Sequence, residues 1–130
     1  MQRASAIWSG RISLFVIYAW FGILKMVDIS PAEGLVNALF VEIFQSGWQN
    51  FLFLFGAIEV IIGTAFLVVG PRRWVIRLFL LHIFATLLPL VLLPSITWSG
   101  VLVPTLIGQY IIKNLALLSV VKFLQIEETA

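Results

Sequence analysis

Four long apolar runs, separated by short polar or proline- and glycine-bearing breaks, set the pattern of this chain. A helix needs ~20 mainly apolar residues to cross the hydrocarbon core of a bilayer. Four stretches reach that length: Ile7–Val27, Phe51–Val69, Trp74–Leu93 and Val101–Leu124. Gly70-Pro71-Arg72-Arg73 makes a tight break between the second and third, and Pro94-Ser95 to Ser99-Gly100 divides the third from the fourth. Between the first two, Ser30-Pro31-Ala32-Glu33 reads as a helix start, with Ser30 as cap, Pro31 at the first position and Glu33 closing a capping box. The segment it opens, about 31–44, is too short and too acidic to cross. It is expected to lie on the membrane surface or over the mouth of the bundle. The predicted fold is all-α: one domain over 1–130, a bundle of four transmembrane helices with a short surface helix between spans one and two.

Composition supports a membrane solution. Of 130 residues, 62% are apolar and 11% charged, with a mean hydropathy of +1.11. Soluble domains run nearer ~45–50% apolar and ~25% charged, and a chain this small cannot hide the excess in a core. The absence of cysteine excludes an internal disulfide, thiolate chemistry and an iron–sulfur cluster held by this chain. The single histidine, His82, cannot make a two-histidine haem site in one copy, and no zinc-type ligand set exists. The net charge of +2 arises without a basic run or interleaved aromatic motif, so nucleic acid is not an expected partner.

Lys/Arg bias sets the expected orientation. Arg3, Arg11, Arg72, Arg73, Arg77 and Lys122 fall on one side of an even-numbered set of spans, Lys25 lies near the other, and Lys113 lies inside a span. Both termini are therefore expected in the cytoplasm, with Trp8 and Trp74 at the inner interface and Trp48 and Trp98 near the outer one. Arg3 and the apolar run after it suit a signal peptide, but no small-residue cleavage pattern follows Leu24, so the first span is expected to be retained.

Charges at membrane depth cost ~2.5–3.5 kcal/mol on insertion scales and need a partner or a wet cavity. Glu59 shares a helix face with Gly56 and Gly63, where a neighbouring backbone can come close. Arg11, Tyr18, Gly22 and Lys25 form one stripe on span one, and His82, Thr86 and Pro89 another on span three. On span four, Gln109, Tyr110, Lys113 and Asn114 fall in one sector, with Ile111, Ile112, Leu115 and Leu118 expected to face lipid. At ~1.5 Å per residue, Glu59 and Lys113 lie about 12 and 18 Å below the outer starts of their spans, and His82 about 12 Å above its inner start. Lys25 is shallower, able to snorkel outward or bend toward Glu59. The candidate site is accordingly Glu59, Lys113, His82, Lys25, Tyr110 and Gln109, a polar seam suited to the carbonyl head of a quinone or the head of a lipid. A plainer account stands beside it: a Glu–Lys pair that fixes packing, a hydrogen-bonded packing histidine, packed tyrosines and topology-setting arginines.

Three segments carry a family resemblance. Arg11 followed by an apolar run and Phe21-Gly22-Ile23-Leu24-Lys25 resembles the opening of DoxX-like membrane proteins. Gly56-Ala57-Ile58-Glu59-Val60-Ile61-Ile62-Gly63 resembles their second span, and Gly108-Gln109-Tyr110-Ile111-Ile112-Lys113-Asn114 their last. The branch most similar is that of the reactive-chlorine-resistance membrane proteins. The resemblance implies a four-helix bundle in a bacterial or archaeal cell membrane, with links to thiosulfate:quinone oxidoreduction, oxidative-stress defence or membrane-protein assembly. Its recurrent polar positions map onto Lys25, Glu59 and Lys113, with Arg11 less securely. Asn114 stands where some relatives have Asp, which puts a proton relay through that acid in doubt.

Two functions of different class remain open. One is a small non-catalytic membrane subunit of a redox or oxidative-stress complex, binding a quinone or lipid in the seam. Because no residue here holds electrons, it is at most part of an oxidoreductase and needs a redox partner or other membrane subunits. The other is an accessory or assembly subunit without ligand chemistry. Transport is less favoured, since four helices enclose little space and no inverted repeat is evident, although a homo-oligomer would revive it.

Overall fold

The computed structural model describes residues 1–45 and 50–129. Among them are four helices long and apolar enough to cross a membrane: Gln2–Met26, Phe51–Val68, Arg73–Leu92 and Leu106–Thr129. The first, α1 (Gln2–Met26), carries no proline and ends where Asp28 enters the left-handed region at φ 56°. There Ile29 N–H bonds to the Leu24 carbonyl and Asp28 N–H to that of Lys25, which closes the last turn. A shorter helix, α2 (Glu33–Phe44), follows. It starts later than the capping-box expectation, because the Ser30 hydroxyl accepts from Ala32 N–H at 3.1 Å and so forms a local turn instead of a cap. Val36 and Leu39 bury its inner face, and Phe40 stacks on Phe51 at 4.3 Å between ring centres. Trp48, expected near the outer interface, lies outside the described residues.

Span two is α3 (Phe51–Val68), and Gly70 at φ +83° turns the chain into span three. That span comprises α4 (Arg73–Leu87) and α5 (Pro89–Leu92), separated at Leu88 because Pro89 has no N–H to continue the ladder. The connection onward is more structured than a simple break. A short α6 (Pro94–Thr97) leads into a minimal antiparallel hairpin of β1 (Trp98–Gly100) and β2 (Val103–Pro104), pairing Trp98 with Pro104 and Gly100 with Val103.

Span four therefore begins at Leu106, not Val101. Pro104 cannot sit inside a helix, and the Thr105 hydroxyl caps the new one by accepting from Gly108 N–H at 3.2 Å. It runs as α7 (Leu106–Lys113) and α8 (Leu115–Thr129), with a tightened turn at Asn114 whose N–H reaches the Ile111 carbonyl three residues back. Its far end extends past Leu124, because Glu127 and Glu128 are held by Arg3 and Arg11.

The bundle is organised around one close crossing, of α1 on α3. A Cβ on Gly22 would stand 2.5 Å from the Gly56 carbonyl oxygen, and a Cβ on Gly56 would stand 2.5 Å from that of Gly22. Only glycine permits this approach, the usual device for helix contact in lipid, where no hydrophobic force draws spans together. The close contact continues at Gly63, where an added Cβ would stand 2.9 Å from that of Tyr18, and toward the arginine-rich end the bundle packs a core of Leu14, Ile62, Phe66, Val75, Phe79 and Leu124, all fully buried. Phe66 meets Phe79 edge-to-face at 5.7 Å. At the rim of that end, Arg11 forks onto both Glu128 oxygens and donates to the Leu67 carbonyl at 3.2 Å, tying spans one, two and four together.

Candidate functional site

The glycine crossing sets α1 and α3 so close that their polar residues must meet. Lys25 is one turn beyond Gly22, and Glu59 is one turn beyond Gly56. Their side chains form an ion pair at 2.8 Å, each residue only 5% exposed. From span three, His82 completes the other half of the carboxylate: its Nε2 lies 2.9 Å from Glu59 Oε1. Tyr18, 3% exposed on the α1 stripe, places its hydroxyl 3.4 Å from His82 Nδ1.

One proton arrangement satisfies all four groups. Lys25 donates to Glu59 Oε2, His82 Nε2–H donates to Glu59 Oε1, and the bare Nδ1 accepts from the Tyr18 hydroxyl, a long and weak bond. In that arrangement the ammonium and the carboxylate offset one another, the partnering a charged group at membrane depth requires. Aromatic rings hold it in place: Phe55 lies over the imidazole at 5.0 Å between ring centres, and Tyr18 meets it edge-on at 5.2 Å. No buried side-chain nitrogen or oxygen among the described residues lacks a partner.

This cluster forms one wall of an elongated cavity of about 850 Å³. The remaining walls are overwhelmingly apolar, from Ile17, Phe21 and Leu24 on span one, Phe51 and Phe55 on span two, Ile83 and Pro89 on span three, and Leu106, Ile107 and Ile111 on span four. Ser30 to Leu39, the turn and first half of α2, close it toward the end opposite the arginines. Between spans one and four the cavity is open to the side, where Phe21, Leu106, Ile107 and Tyr110 line it and are also substantially exposed.

The expected seam is thus assembled in part. Glu59 and His82 come together, and Lys25, able by its depth to snorkel outward or to bend toward Glu59, takes the second course. Lys113 does not join them: it is exposed on the outer face of α7, with its ammonium 5.5 Å from the ring centre of Tyr110. Gln109 is also exposed, and Tyr110, 62% exposed, reaches the cavity only at its lateral rim. The cause is the rotation of α7. Gly108 packs flat against the Thr97 carbonyl, leaving no room for a side chain, and this turns Ile111 inward to 5% exposure. Ile111, expected to face lipid, is a cavity wall, whereas Leu115 does face outward.

Two contributors were absent from the sequence-derived set. Tyr18 was visible only as a stripe member seven residues before Lys25, and Phe55 gave no signal beyond its hydrophobicity. Among the described residues no cluster of three or more His, Asp or Glu side chains could hold a metal ion. No family model, curated protein or solved structure matches the chain.

Proposed function

We infer that this protein binds a membrane-dissolved molecule with a small oxygen-bearing ring head and an apolar tail, a quinone or quinol, as a non-catalytic subunit of a redox or oxidative-stress complex. The cavity carries the inference. Its volume falls in the range of ligand pockets, ~300–1,000 Å³, and its polar groups are few and convergent, as pockets for small organic molecules require. Lys25, which donates to Glu59 and at 3.5 Å to the Phe21 carbonyl, retains one N–H donor for a ligand carbonyl, and the Tyr18 oxygen retains lone pairs for a ligand hydroxyl. The lateral opening suits a ligand that partitions into lipid before it binds. Because the chain has no electron carrier of its own, electrons pass between the ligand and a partner subunit.

In this picture the termini and the arginine-rich end face the cytoplasm of a bacterial or archaeal cell, as the positive-inside bias favours. The cavity then lies in the outer half of the bilayer, beneath α2.

A photoreactive short-tailed quinone tests the assignment on protein purified in mild detergent. Cross-links are expected on the segments around Tyr18–Lys25 and His82–Pro89, saturable and displaced by unlabelled quinone. Tyr18→Phe should weaken binding by a few fold, the worth of one hydrogen bond of ~0.5–1.5 kcal/mol. Labelling that does not saturate, or that maps outside the cavity, would count against quinone binding. Lost co-purification of partner proteins in Tyr18→Phe, with its stability unchanged, would instead favour an assembly subunit.

A further inference from the structure

A second groove runs between spans three and four at the arginine-rich end. Ile76, Phe79 and Leu80 of α4 and Leu118 and Val121 of α8 form its apolar bed, about 600 Å³ in extent. Ser119, Lys122 and Gln125 give it one polar margin. This groove shares only the intervening helices with the quinone cavity and does not depend on that assignment.

Charge pairing at this end is uneven. The chain has eight Lys/Arg and six Asp/Glu. Glu127 and Glu128 are taken up by Arg3 and Arg11, and Glu59 by Lys25 and His82. The remaining acids, Asp28, Glu33 and Glu42, lie at the opposite end, on the turn and helix between spans one and two. Among the described residues Arg72, Arg73, Arg77 and Lys122 consequently form no ion pair, and all four are exposed. Arg77 does not itself line the groove; it follows the lining residue Ile76 on α4 and lies about 6 Å along the helix from Arg73. Lys122 lies about 9 Å deeper than Glu128 on its own helix, a depth from which its long side chain can reach a phosphate.

We propose that this groove holds an anionic phospholipid, with one acyl chain along Ile76, Leu80 and Leu118 and its phosphate between Lys122 and Arg77. The geometry combines what such a lipid offers: a phosphodiester charge at the interface and a hydrocarbon chain running inward. Ser119, about 4.5 Å deeper than Lys122 on α8, supplies a hydrogen bond at the glycerol level, and Gln125, about 4.5 Å shallower, one at the head group. Basic pockets between transmembrane helices recognise anionic head groups in this way. A zwitterionic lipid would fit the bed equally well, but its added cation would sit among uncompensated positive charges.

Native mass spectrometry of the intact detergent-solubilised protein, titrated with phosphatidylglycerol or phosphatidylcholine of the same acyl chains, tests the assignment. Phosphatidylglycerol is expected to bind at least tenfold more tightly. Lys122→Gln and Arg77→Gln should each remove about five-fold of that preference, in line with the contribution of one interfacial basic residue. Lys113→Gln, which removes an exposed cation elsewhere, should leave it unchanged. Ser119→Trp, which fills the groove without altering charge, should reduce both lipids alike. Equal affinity for the two lipids, or full preference retained in the Lys122→Gln/Arg77→Gln pair, would overturn the proposal. So would displacement of the lipid by inorganic phosphate at matching concentration, since that would mark a bare anion patch.

Discussion

At the scale of single residues, Glu59 is the group on which the interior depends. It is the common acceptor for Lys25 and His82, so its removal strands a buried lysine. Breaking a buried pair from one side costs about 3–5 kcal/mol, whereas replacing both partners with apolar groups of similar volume is often neutral. Glu59→Gln and Lys25→Met alone should therefore each lower thermal stability strongly in detergent. The double variant should recover most of the loss, and a full double-mutant cycle on melting temperature measures the coupling. Lys113→Ala should leave stability nearly unchanged, because that lysine is exposed and bound only to the face of Tyr110. Additive losses at Glu59 and Lys25, or a large loss at Lys113, would contradict the pairing described here.

At the scale of helices, the close crossing of α1 on α3 governs the site. The Gly22 and Gly56 backbones meet, and from that approach Lys25 and Glu59 come into register one turn further on. Gly56→Ala places a methyl against the Gly22 carbonyl and the Lys25 Cβ, so the helices must part. A loss of about 1–3 kcal/mol is expected from such overpacking. Gly34 provides the contrast. It lies in α2 with nothing within 4 Å of an added Cβ. Gly34→Ala should stabilise slightly, by up to ~1 kcal/mol, because it relieves the entropic cost of glycine in a helix. Chemical denaturation of the two variants side by side distinguishes a packed glycine from a free one. A stable Gly56→Ala protein would mean that the crossing has slack.

At the scale of the whole molecule, the charges are largely sorted along the bundle axis: among the described residues, Arg72, Arg73, Arg77 and Lys122, without ion pairs, lie at one end and the unpaired acids Asp28, Glu33 and Glu42 at the other, with Lys113 on α7 as the exception. The absence of cysteine makes the chain a ready background for mapping which end faces which compartment. With a membrane-impermeant maleimide on intact cells, Val101→Cys at the exposed hairpin tip should label directly. Arg72→Cys, at the opposite end, should label only after permeabilisation. The reverse pattern would invert the bundle and carry both the cavity and the phospholipid groove to the other leaflet.

The sequence by itself determined the four helices long and apolar enough to cross a membrane, the approximate limits of the first three and the presence of a short helix between the first two. Those features depend on local quantities: the length of an apolar run, and the missing donor of a proline or the backbone freedom of a glycine. It also marked Glu59, His82, Lys25 and Lys113 as groups needing company, since burying a charge in lipid is unfavourable wherever the chain folds. Tertiary structure decided which company they found. Lys25 and Lys113 were both within reach of Glu59 by depth, and span four carried a polar sector and an apolar one, either of which could have turned inward. Rotation about a helix axis is set by contacts with other helices, here Gly108 against Thr97 and Gly22 against Gly56. Those contacts brought Lys25 to the carboxylate, sent Lys113 outward, and made Tyr18 the far member of the cluster, an outcome that no spacing within a single helix encodes.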